Sequence, residues 1–490
     1  MSVRVRFAPS PTGPLHIGGL RTALYNYILA KKHKGTFILR IEDTDKKREV
    51  EKSEKYILDA LSWLGIKPNE GPFSGGPYGP YRQSERNNIY KAYAKRLIDS
   101  KSAYYAYDSE SDLNKARENL KKTGGTFKYN SANRLLFNNS LTSDSKKVRG
   151  ITEKVIRLKV PKNKKINVDD QIRGRITVSP EEVEDKVLIK ADGMPTYHFA
   201  NVIDDYLMKI THVIRGEEWL PSLPIHKILY DAYGWNTPKF MHLPLILNTA
   251  GKGKLSKRDG EKEGYPIFPL RWKDSLGFKE TGFLPEGLIN YIVLLGWSPE
   301  SDKEILNIKE IIDLFKEDKI HKGGARFDFE KAVWLNQKHI QKKAPEKLLK
   351  KFPEFFKNIA DNEKLKVSLI ALIQERAALL TDFEKESFLF TNSPANYDIN
   401  SLSRLDEKKS LHILKYLHDS LNNKKFVLDS WKSEMIGWGK QEGFSAKEIM
   451  QTIRMALVGS LKGPDLVSIS SFIGEDAFLK RLNSFIGFLK

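Results

Sequence analysis

Apolar and polar residues alternate at the start of the chain, which is the pattern of a strand with one buried face. Val3, Val5 and Phe7 are apolar, and the residues between them are polar. After a turn rich in Pro and Gly, apolar residues recur at helical spacing over 20–28, and 37–41 form a second buried run. Strand, helix and strand within about forty residues make a βαβ unit, which predicts a parallel sheet.

A long stretch interrupts this pattern before it resumes. Residues 100–185 are lysine-rich and weakly patterned, which indicates an insertion between two halves of one sheet. Strand patterns return at 187–189, at 212–214 and at 243–247, with a helix between the last two. From about residue 330 onward the patterns are helical. We therefore predict a split parallel α/β domain that carries an insertion and precedes a helical C-terminal region.

Length and composition limit the class of protein. A chain of 490 residues exceeds what one hydrophobic core usually holds, so about two to four domains are expected. Cysteine is absent, which excludes disulfides and thiolate-ligated zinc and is typical of a reducing compartment. The first six residues contain no apolar signal segment, and the longest apolar stretch, 288–297, is too short to span a bilayer. These features predict a cytoplasmic protein without a membrane partner.

The net charge of +20 suggests a polyanionic partner. The basic residues are mostly lysines spread along the chain, and codon bias in an AT-rich genome would produce the same excess. Charge alone therefore favours a nucleic-acid partner without identifying one.

A Gly-rich turn that contains His16 lies where the first predicted strand meets the first helix. Ligands of open parallel sheets bind at this point, beyond the carboxyl ends of the strands. Gly13, Gly18 and Gly19 allow the backbone to approach a phosphate, and a helix beginning near Gly18 directs N–H groups towards it. His16 can donate a hydrogen bond to an α-phosphate oxygen. Neither G-x-G-x-x-G nor G-x-x-x-x-G-K-[ST] occurs, so Rossmann dehydrogenases and P-loop NTPases are disfavoured.

A second candidate for phosphate binding is the segment 251–260, in which Lys254 and Lys257 lie between glycines. The glycines make the segment mobile, and lysines are suitable point charges for clamping phosphates. Either segment by itself would also fit an ordinary turn or a solvated surface loop. In this order they predict two halves of an ATP site that activates a carboxylate as an adenylate.

Detailed motifs occur in a fixed order through the first 335 residues. They are Arg6–Gly13, His16–Gly19, Arg40–Asp45, Asp192–Asn201, Arg215–Trp219, Lys254–Arg258 and Gly323–Glu330. Together they resemble bacterial glutamyl-tRNA synthetases, a class I family, most closely over 1–90 and 187–335. Gly19, Leu255 and Arg258 differ from the general class I pattern and look like marks of the glutamate branch.

The resemblance implies a fold and a domain division. The fold is α/β, with a split Rossmann-like parallel-sheet catalytic domain, an α/β insertion and an all-α C-terminal anticodon-binding region. The implied bounds are 1–85 with 187–260 for the catalytic domain, 86–186 for the acceptor-end-binding insertion, 261–335 for a stem-contact domain and 336–490 for the anticodon-binding domain.

The resemblance also implies the roles of individual residues. Arginines would bind the two carboxylates of glutamate, with Arg6 on the side-chain carboxylate. Ser10 and Glu42 would bind the ammonium, and Tyr197 and Asn201 would add neutral hydrogen bonds. The implied glutamate-binding set is Arg6, Ala8, Ser10, Glu42, Tyr197, Asn201 and Arg215. The implied ATP-binding set is His16, Gly18, Glu218, Trp219, Lys254 and Lys257, of which His16, Lys254 and Lys257 are the catalytic residues.

The implied partners are L-glutamate, ATP with Mg²⁺, and tRNA(Glu), and the chain is expected to be a monomer. The α-carboxylate of glutamate attacks ATP, and the 2′-OH of the terminal adenosine then attacks the adenylate, with activation awaiting the tRNA. Some family members bind zinc in the insertion, but Ala106 lies where a ligand would be expected, so zinc and other protein-bound metals are not expected. The sequence does not indicate whether tRNA(Gln) is also charged.

Two other functions stay open at this point. A glutamyl-queuosine ligase would modify a base of another tRNA, but such enzymes resemble the catalytic half alone, and the helical region after residue 335 argues against this. A nucleic-acid-binding protein on an inactive synthetase scaffold is the other, and the intact His16, Lys254 and Lys257 argue against it.

Overall fold

The computed structural model describes residues 2–122, 124–142, 154–351 and 362–490. The chain divides into two compact units, one of residues 1–280 with 288–332 and the other of residues 281–287 with 333–490. The first unit is α/β and the second is helical. The finer division into four domains stays a prediction.

The described strands all lie in the first unit. They are β1 Arg4–Phe7, β2 Thr36–Leu39, β3 Ala103–Ala106, β4 Val155–Leu158, β5 Ile166–Asp170, β6 Gly174–Val178, β7 Val187–Ile189, β8 His212–Gly216, β9 Lys239–Leu243, β10 Ile246–Leu247 and β11 Ala325–Arg326.

The described helices extend over both units. They are α1 Ile17–Lys32, α2 Ser53–Trp63, α3 Asn87–Asp99, α4 Glu110–Lys122, α5 Tyr197–Leu207, α6 Leu223–Ala232, α7 Lys257–Glu263, α8 Phe278–Thr281, α9 Pro285–Leu294, α10 Ile308–Leu314, α11 Phe329–Gln341, α12 Pro345–Leu349, α13 Glu363–Gln374, α14 Asp382–Thr391, α15 Ile399–Leu402, α16 Glu407–Asn422, α17 Trp431–Glu442, α18 Ala446–Val458 and α19 Leu466–Phe488.

The predicted βαβ unit is present at the start of the chain. β1 pairs in parallel with β2 over four residues, with α1 connecting them. Leu20, Leu24 and Ile28 are buried on one face of α1, as their four-residue spacing requires. The N–H of Thr211 donates to the carbonyl oxygen of Arg4, which joins β1 to the segment that enters β8.

Two expectations about the sheet are wrong. The strand predicted over 243–247 is divided in the structure: β9 ends at Leu243 because Pro244 has no N–H to continue the ladder, and Ile246–Leu247 form β10, which pairs with β11 instead. The apolar run at 187–189 forms β7, which pairs antiparallel with β4 in a separate sheet of order β3-β4-β7. A three-residue apolar run does not specify the sheet that it joins.

The segment that the sequence assigned to the insertion also contributes to the catalytic sheet. β5 pairs in parallel with β9, where Asp170 lies opposite Phe240. The resulting sheet has the order β6-β5-β9-β8. Side chains on β5 therefore reach the strands that carry the predicted site.

The second unit is built around one core of buried Leu, Ile, Phe and Trp side chains. Trp431 is completely buried, and its indole Nε1 donates to the Ser470 hydroxyl at 3.0 Å. α19 bends at Gly474, whose φ of 76° lies in the left-handed region that glycine favours. Among the described residues, no helix combines the length and the apolar character needed to cross a bilayer.

Candidate active site

A cavity of about 600 Å³ opens where β1 ends and α1 begins. Such a volume suits a small-molecule ligand, and its position matches the binding edge of open α/β sheets. The cavity lining brings together every residue that the sequence assigned to glutamate or ATP. These residues are Arg6, Ala8, Ser10, His16, Gly18, Glu42, Tyr197, Asn201, Arg215, Glu218, Trp219, Lys254 and Lys257.

His16 is the N-cap residue of α1, and its imidazole accepts a hydrogen bond from the backbone N–H of Gly18. The acceptor is Nδ1, at 2.9 Å from the Gly18 nitrogen. An imidazole that accepts at Nδ1 carries its proton on Nε2, so the ring can donate into the cavity. Desolvation by the surrounding protein, followed by the charge of Lys254, lowers the pKa of His16 and favours this neutral form.

Gly18 makes this histidine geometry possible. A Cβ atom at Gly18 would lie 2.6 Å from Cε1 of His16 and 3.0 Å from its Nδ1. No side chain larger than a hydrogen atom fits there while the imidazole lies against the helix N-terminus. The ring and the N-terminal N–H groups of α1 are thereby directed to the same part of the cavity.

The two lysines of the predicted phosphate clamp lie at the mouth of the cavity. Lys254 Nζ is 3.0 Å from Oε1 of Glu218, and both side chains are nearly half exposed. Lys257 opens α7 and pairs with Glu261 one turn later at 3.2 Å. Burial by itself would raise the pKa of Glu218, but hydrogen bonds from its own backbone and from Lys254 lower it, so Glu218 is a carboxylate that holds Lys254.

Arg6 belongs to a buried network of charges. Its Nε and Nη2 donate to the two carboxylate oxygens of Asp205 at 3.0 and 3.2 Å. Asp205 also accepts from Nη1 of Arg40 at 2.7 Å, and Nη2 of Arg40 donates to Glu42 at 2.9 Å. Asn201 donates to the same Glu42 oxygen at 3.0 Å. Arg6 and Glu42 are therefore held in fixed orientations at the cavity wall.

The network shifts the two carboxyl groups in opposite directions. Burial would raise the pKa of Asp205, but the adjacent Arg6 and Arg40 lower it below its usual range. For Glu42, burial raises the pKa in spite of Arg40 and Arg6. A cation bound beside Glu42 would favour the ionised carboxylate and so offset the effect of burial on its pKa.

Arg215 lies near the end of β8, also lines the cavity and has different partners. Its Nε donates to Nε2 of His242 at 2.9 Å, and its Nη1 donates to the hydroxyl of Tyr197 at 3.0 Å. Its Nη2 reaches the carbonyl oxygen of Trp219 at 3.4 Å. No ion pair joins Arg215 to a carboxylate within the ranges that the structure describes.

The sequence has close relatives among known proteins. A family model described as "tRNA synthetases class I (E and Q), catalytic domain" matches residues 2–334, and one for an anticodon binding domain matches residues 342–486. A glutamate–tRNA ligase of Christiangramia forsetii is 46% identical, over 100% of this chain and 99% of the relative. The chain belongs to the class I glutamyl-tRNA synthetase family. The family resemblance and the fold class predicted from the sequence are confirmed.

Solved structures of this family agree along the whole chain. A glutamate–tRNA ligase of Elizabethkingia meningosepticum, solved in complex with its amino acid, has a TM-score of 0.94 and 44% identity, covering 100% of both chains. A glutamate–tRNA synthetase of Elizabethkingia anophelis has a TM-score of 0.91 and 42% identity, over 99% of this chain and 100% of that one.

Four buried residues that hold the site were not assigned a role from the sequence, although Arg40 lies in one of the motifs. Arg40 and Asp205 complete the Arg6 network, and Asp170 and His242 lie behind Arg215. Arg40 directly follows β2 in the apolar run 37–41, and Asp205 lies on the buried face of α5, so a charge in an apolar pattern could have indicated the first pair. His242 likewise interrupts the apolar run 240–243, whereas nothing in the sequence pattern indicated Asp170.

The acidic and histidine side chains of the cavity bear on how a metal ion could be held. Over the part of the chain that the structure describes, no cluster of three or more His, Asp or Glu side chains has the arrangement of a metal site. In the cavity, Glu42 is already bonded to Arg40 and Asn201, and Glu218 to Lys254. The residues present therefore fit a Mg²⁺ ion that is held by the phosphates of a bound nucleotide.

Proposed function

We propose that this chain attaches L-glutamate to tRNA(Glu) in an ATP-dependent reaction that passes through a glutamyl-adenylate. The observation that carries the proposal is one cavity in which two fixed arginines, a buried carboxylate and a phosphate-directed histidine meet. The membership of the chain in the glutamyl-tRNA synthetase family supports the same conclusion.

The charges of the cavity suit glutamate. Its two carboxylates need positive donors, and Arg6 and Arg215 both line the cavity with different partners. Its ammonium needs a negative group, and Glu42 is held for that purpose by Arg40 and Asn201. We assign Arg6 to the side-chain carboxylate and Ser10 to the ammonium, with Ala8 as part of the pocket wall.

The other half of the cavity suits ATP. The Nε2–H of His16 and the N-terminus of α1 would receive the α-phosphate beside Gly18. Trp219 is 39% exposed and offers a flat surface for the adenine, with Glu218 near the ribose. Lys254 would exchange Glu218 for a phosphate, and Lys257 would approach from the next turn. Mg²⁺ bound to the phosphates would neutralise part of their charge.

The reaction then needs no nucleophile from the protein. An oxygen of the α-carboxylate attacks the α-phosphorus of ATP, the bond to the β,γ-phosphates breaks, and pyrophosphate leaves. The 2′-OH of the terminal adenosine attacks the carbonyl carbon of the anhydride, and AMP leaves. The protein aligns the reactants and stabilises the charge on phosphorus through His16 and the lysines.

We assign the remaining parts of the chain by the same reasoning. The helical second unit would bind the anticodon, 86–186 the acceptor end and 261–335 the stem, with 1–85 and 187–260 as the catalytic domain. The protein would act as a monomer in the cytoplasm, where translation takes place.

Glutamate-dependent ATP–pyrophosphate exchange, with and without tRNA, tests the proposal. We expect exchange only when tRNA is present. Exchange without tRNA would favour the queuosine-type ligase, and no exchange under either condition would favour a nucleic-acid binder.

A pair of variants on β1 tests the glutamate assignment. Arg6→Ala removes a carboxylate ligand and should lower kcat/KM for glutamate at least about 100-fold, while Asp205 keeps Arg40 as a partner and the fold is retained. Arg4→Ala is the matched control, because Arg4 lies two residues earlier on the same strand and pairs with Glu70 outside the cavity lining. Unchanged glutamate kinetics in Arg6→Ala would contradict the assignment.

A further inference from the structure

His242 lies directly behind Arg215 and is completely buried on β9. Its Nδ1 is 2.6 Å from Oδ2 of Asp170, and its Nε2 is 2.9 Å from Nε of Arg215. The three side chains form a line from the β5 strand through β9 to the cavity wall at the end of β8.

The chemistry of these groups fixes the protonation state of His242. A guanidinium has only donors, so Nε2 of His242 must be the acceptor and carries no proton. The ring proton is therefore on Nδ1 and is donated to Asp170. Burial is the largest influence on the imidazole and lowers its pKa, which keeps His242 neutral.

Asp170 is itself held in place by the backbone. Its Oδ1 accepts from the N–H groups of Ile172 and Arg173 at 3.0 and 2.8 Å. Its Oδ2 accepts from the backbone N–H of His242 at 3.1 Å as well as from the ring. With these bonds Asp170 cannot rotate away, so the imidazole and the guanidinium beyond it have one orientation.

Arg6 and Arg215 differ in how their charge is balanced. Arg6 shares the carboxylate of Asp205 with Arg40, in a direct ion pair. Arg215 is 5% exposed, and its acceptors are neutral groups, namely His242, Tyr197 and a backbone carbonyl. His226 Nδ1, at 3.4 Å from Nη1, is a further neutral neighbour. A neutral acceptor orients a guanidinium and leaves its charge for a ligand.

We propose that His242, held by Asp170, is a positioning residue that aims Arg215 at a carboxylate of glutamate without neutralising its charge. The inference rests on the proposed function, because it requires that Arg215 binds glutamate. It adds two residues to the machinery for amino-acid recognition, and one of them comes from β5, in the segment that the sequence assigned to the insertion.

Steady-state charging kinetics of the full-length chain test this proposal. His242→Leu removes the acceptor and should raise the KM for glutamate about tenfold, with the KM for ATP unchanged. His242→Gln keeps an acceptor oxygen near the position of Nε2 and should restore most of the loss. Asp170→Asn keeps Oδ1 as acceptor for the N–H groups of Ile172 and Arg173, but its amide nitrogen replaces the oxygen that accepts from the backbone N–H and the ring of His242, so it should also raise the glutamate KM.

The same measurement in an Arg215→Lys background separates positioning from a structural role. Lysine cannot donate as the Arg215 Nε does, so His242→Leu should have little further effect on the glutamate KM there. An equal increase in both backgrounds would overturn the proposal, as would a wild-type glutamate KM in Asp170→Asn. A rise in the KM for ATP together with that for glutamate would show a general structural defect and would also overturn it.

These measurements distinguish a failure of the His242 proposal from a failure of the proposed function. If wild-type protein activates no glutamate, the function itself is wrong, and this is seen without any variant. If wild-type protein charges tRNA and Arg215→Lys has a normal glutamate KM, the function stands and the role of His242 falls. If His242→Leu does not fold, the KM for glutamate and the KM for ATP of His242→Gln and Asp170→Asn test the proposal instead.

Discussion

Gly18→Ala should separate the stability of the protein from its activity. The backbone at Gly18 is not in the left-handed region, so alanine is compatible with the helix. The new Cβ would lie 2.6 Å from Cε1 of His16, well inside the distance of an ordinary carbon contact. The imidazole must therefore rotate away, and it loses the hydrogen bond from the Gly18 N–H.

The two effects on stability nearly cancel. Alanine in place of glycine near a helix start contributes about 0.5–1 kcal/mol. The lost N-cap hydrogen bond costs about 1 kcal/mol. Activity has no such compensation, because the displaced His16 no longer donates to the charge that develops on the α-phosphorus. Removing one such donor lowers the rate about 100- to 1000-fold.

ATP–pyrophosphate exchange with tRNA present measures the activity, and thermal unfolding measures the stability. Gly437→Ala is the matched control, because this glycine lies in α17 and a Cβ there would meet nothing within 4 Å. We expect the control to be as stable as wild type or more so, with normal exchange. Exchange within about threefold of wild type in Gly18→Ala would refute the role given to His16.

Three further variants test other parts of the account. His198→Asn should flatten the dependence of stability on pH. Burial lowers the pKa of His198 to about 4, so wild type loses stability as pH falls from 6.5 towards 4, by about 3 kcal/mol relative to the variant in urea unfolding; parallel pH profiles would contradict this. Asp205→Asn removes the anion that Arg6 and Arg40 share, so Arg6 loses its carboxylate partner while Arg40 keeps Glu42; the change should cost about 3 kcal/mol in urea unfolding, whereas a cost below about 1 kcal/mol would show that the Arg6 network is not stabilising. Lys254→Met should lower kcat for exchange about 100-fold with the glutamate KM unchanged, and a normal kcat would exclude Lys254 from the phosphate clamp.

The local parts of the fold could be predicted from the sequence. Alternation over Val3 to Phe7 and the spacing of Leu20, Leu24 and Ile28 gave the first strand and helix, because side chains at those periods share one face. The partners of strands could not be predicted in this way. β7 joined the sheet of the insertion and β5 joined the catalytic sheet, since short apolar runs contain no information about distant pairing.

In the candidate site, too, the local features could be predicted from the sequence and the distant contacts could not. The motif around His16 and the motif around Lys254 are each a short continuous segment of the sequence. The side chains predicted from them line one cavity. The groups that hold those side chains come from distant strands and helices. Asp205 lies 199 positions from Arg6, and Asp170 lies 72 positions from His242, so only the folded chain brings each pair together.

Charging of an unmodified tRNA(Glu) transcript with labelled glutamate tests the central claim most directly. We expect ATP-dependent incorporation into the complete transcript, and none into the same transcript without its terminal adenosine. Incorporation into the shortened transcript would contradict attachment to the terminal ribose. Incorporation into neither the transcript nor native tRNA(Glu) would contradict the proposed function itself.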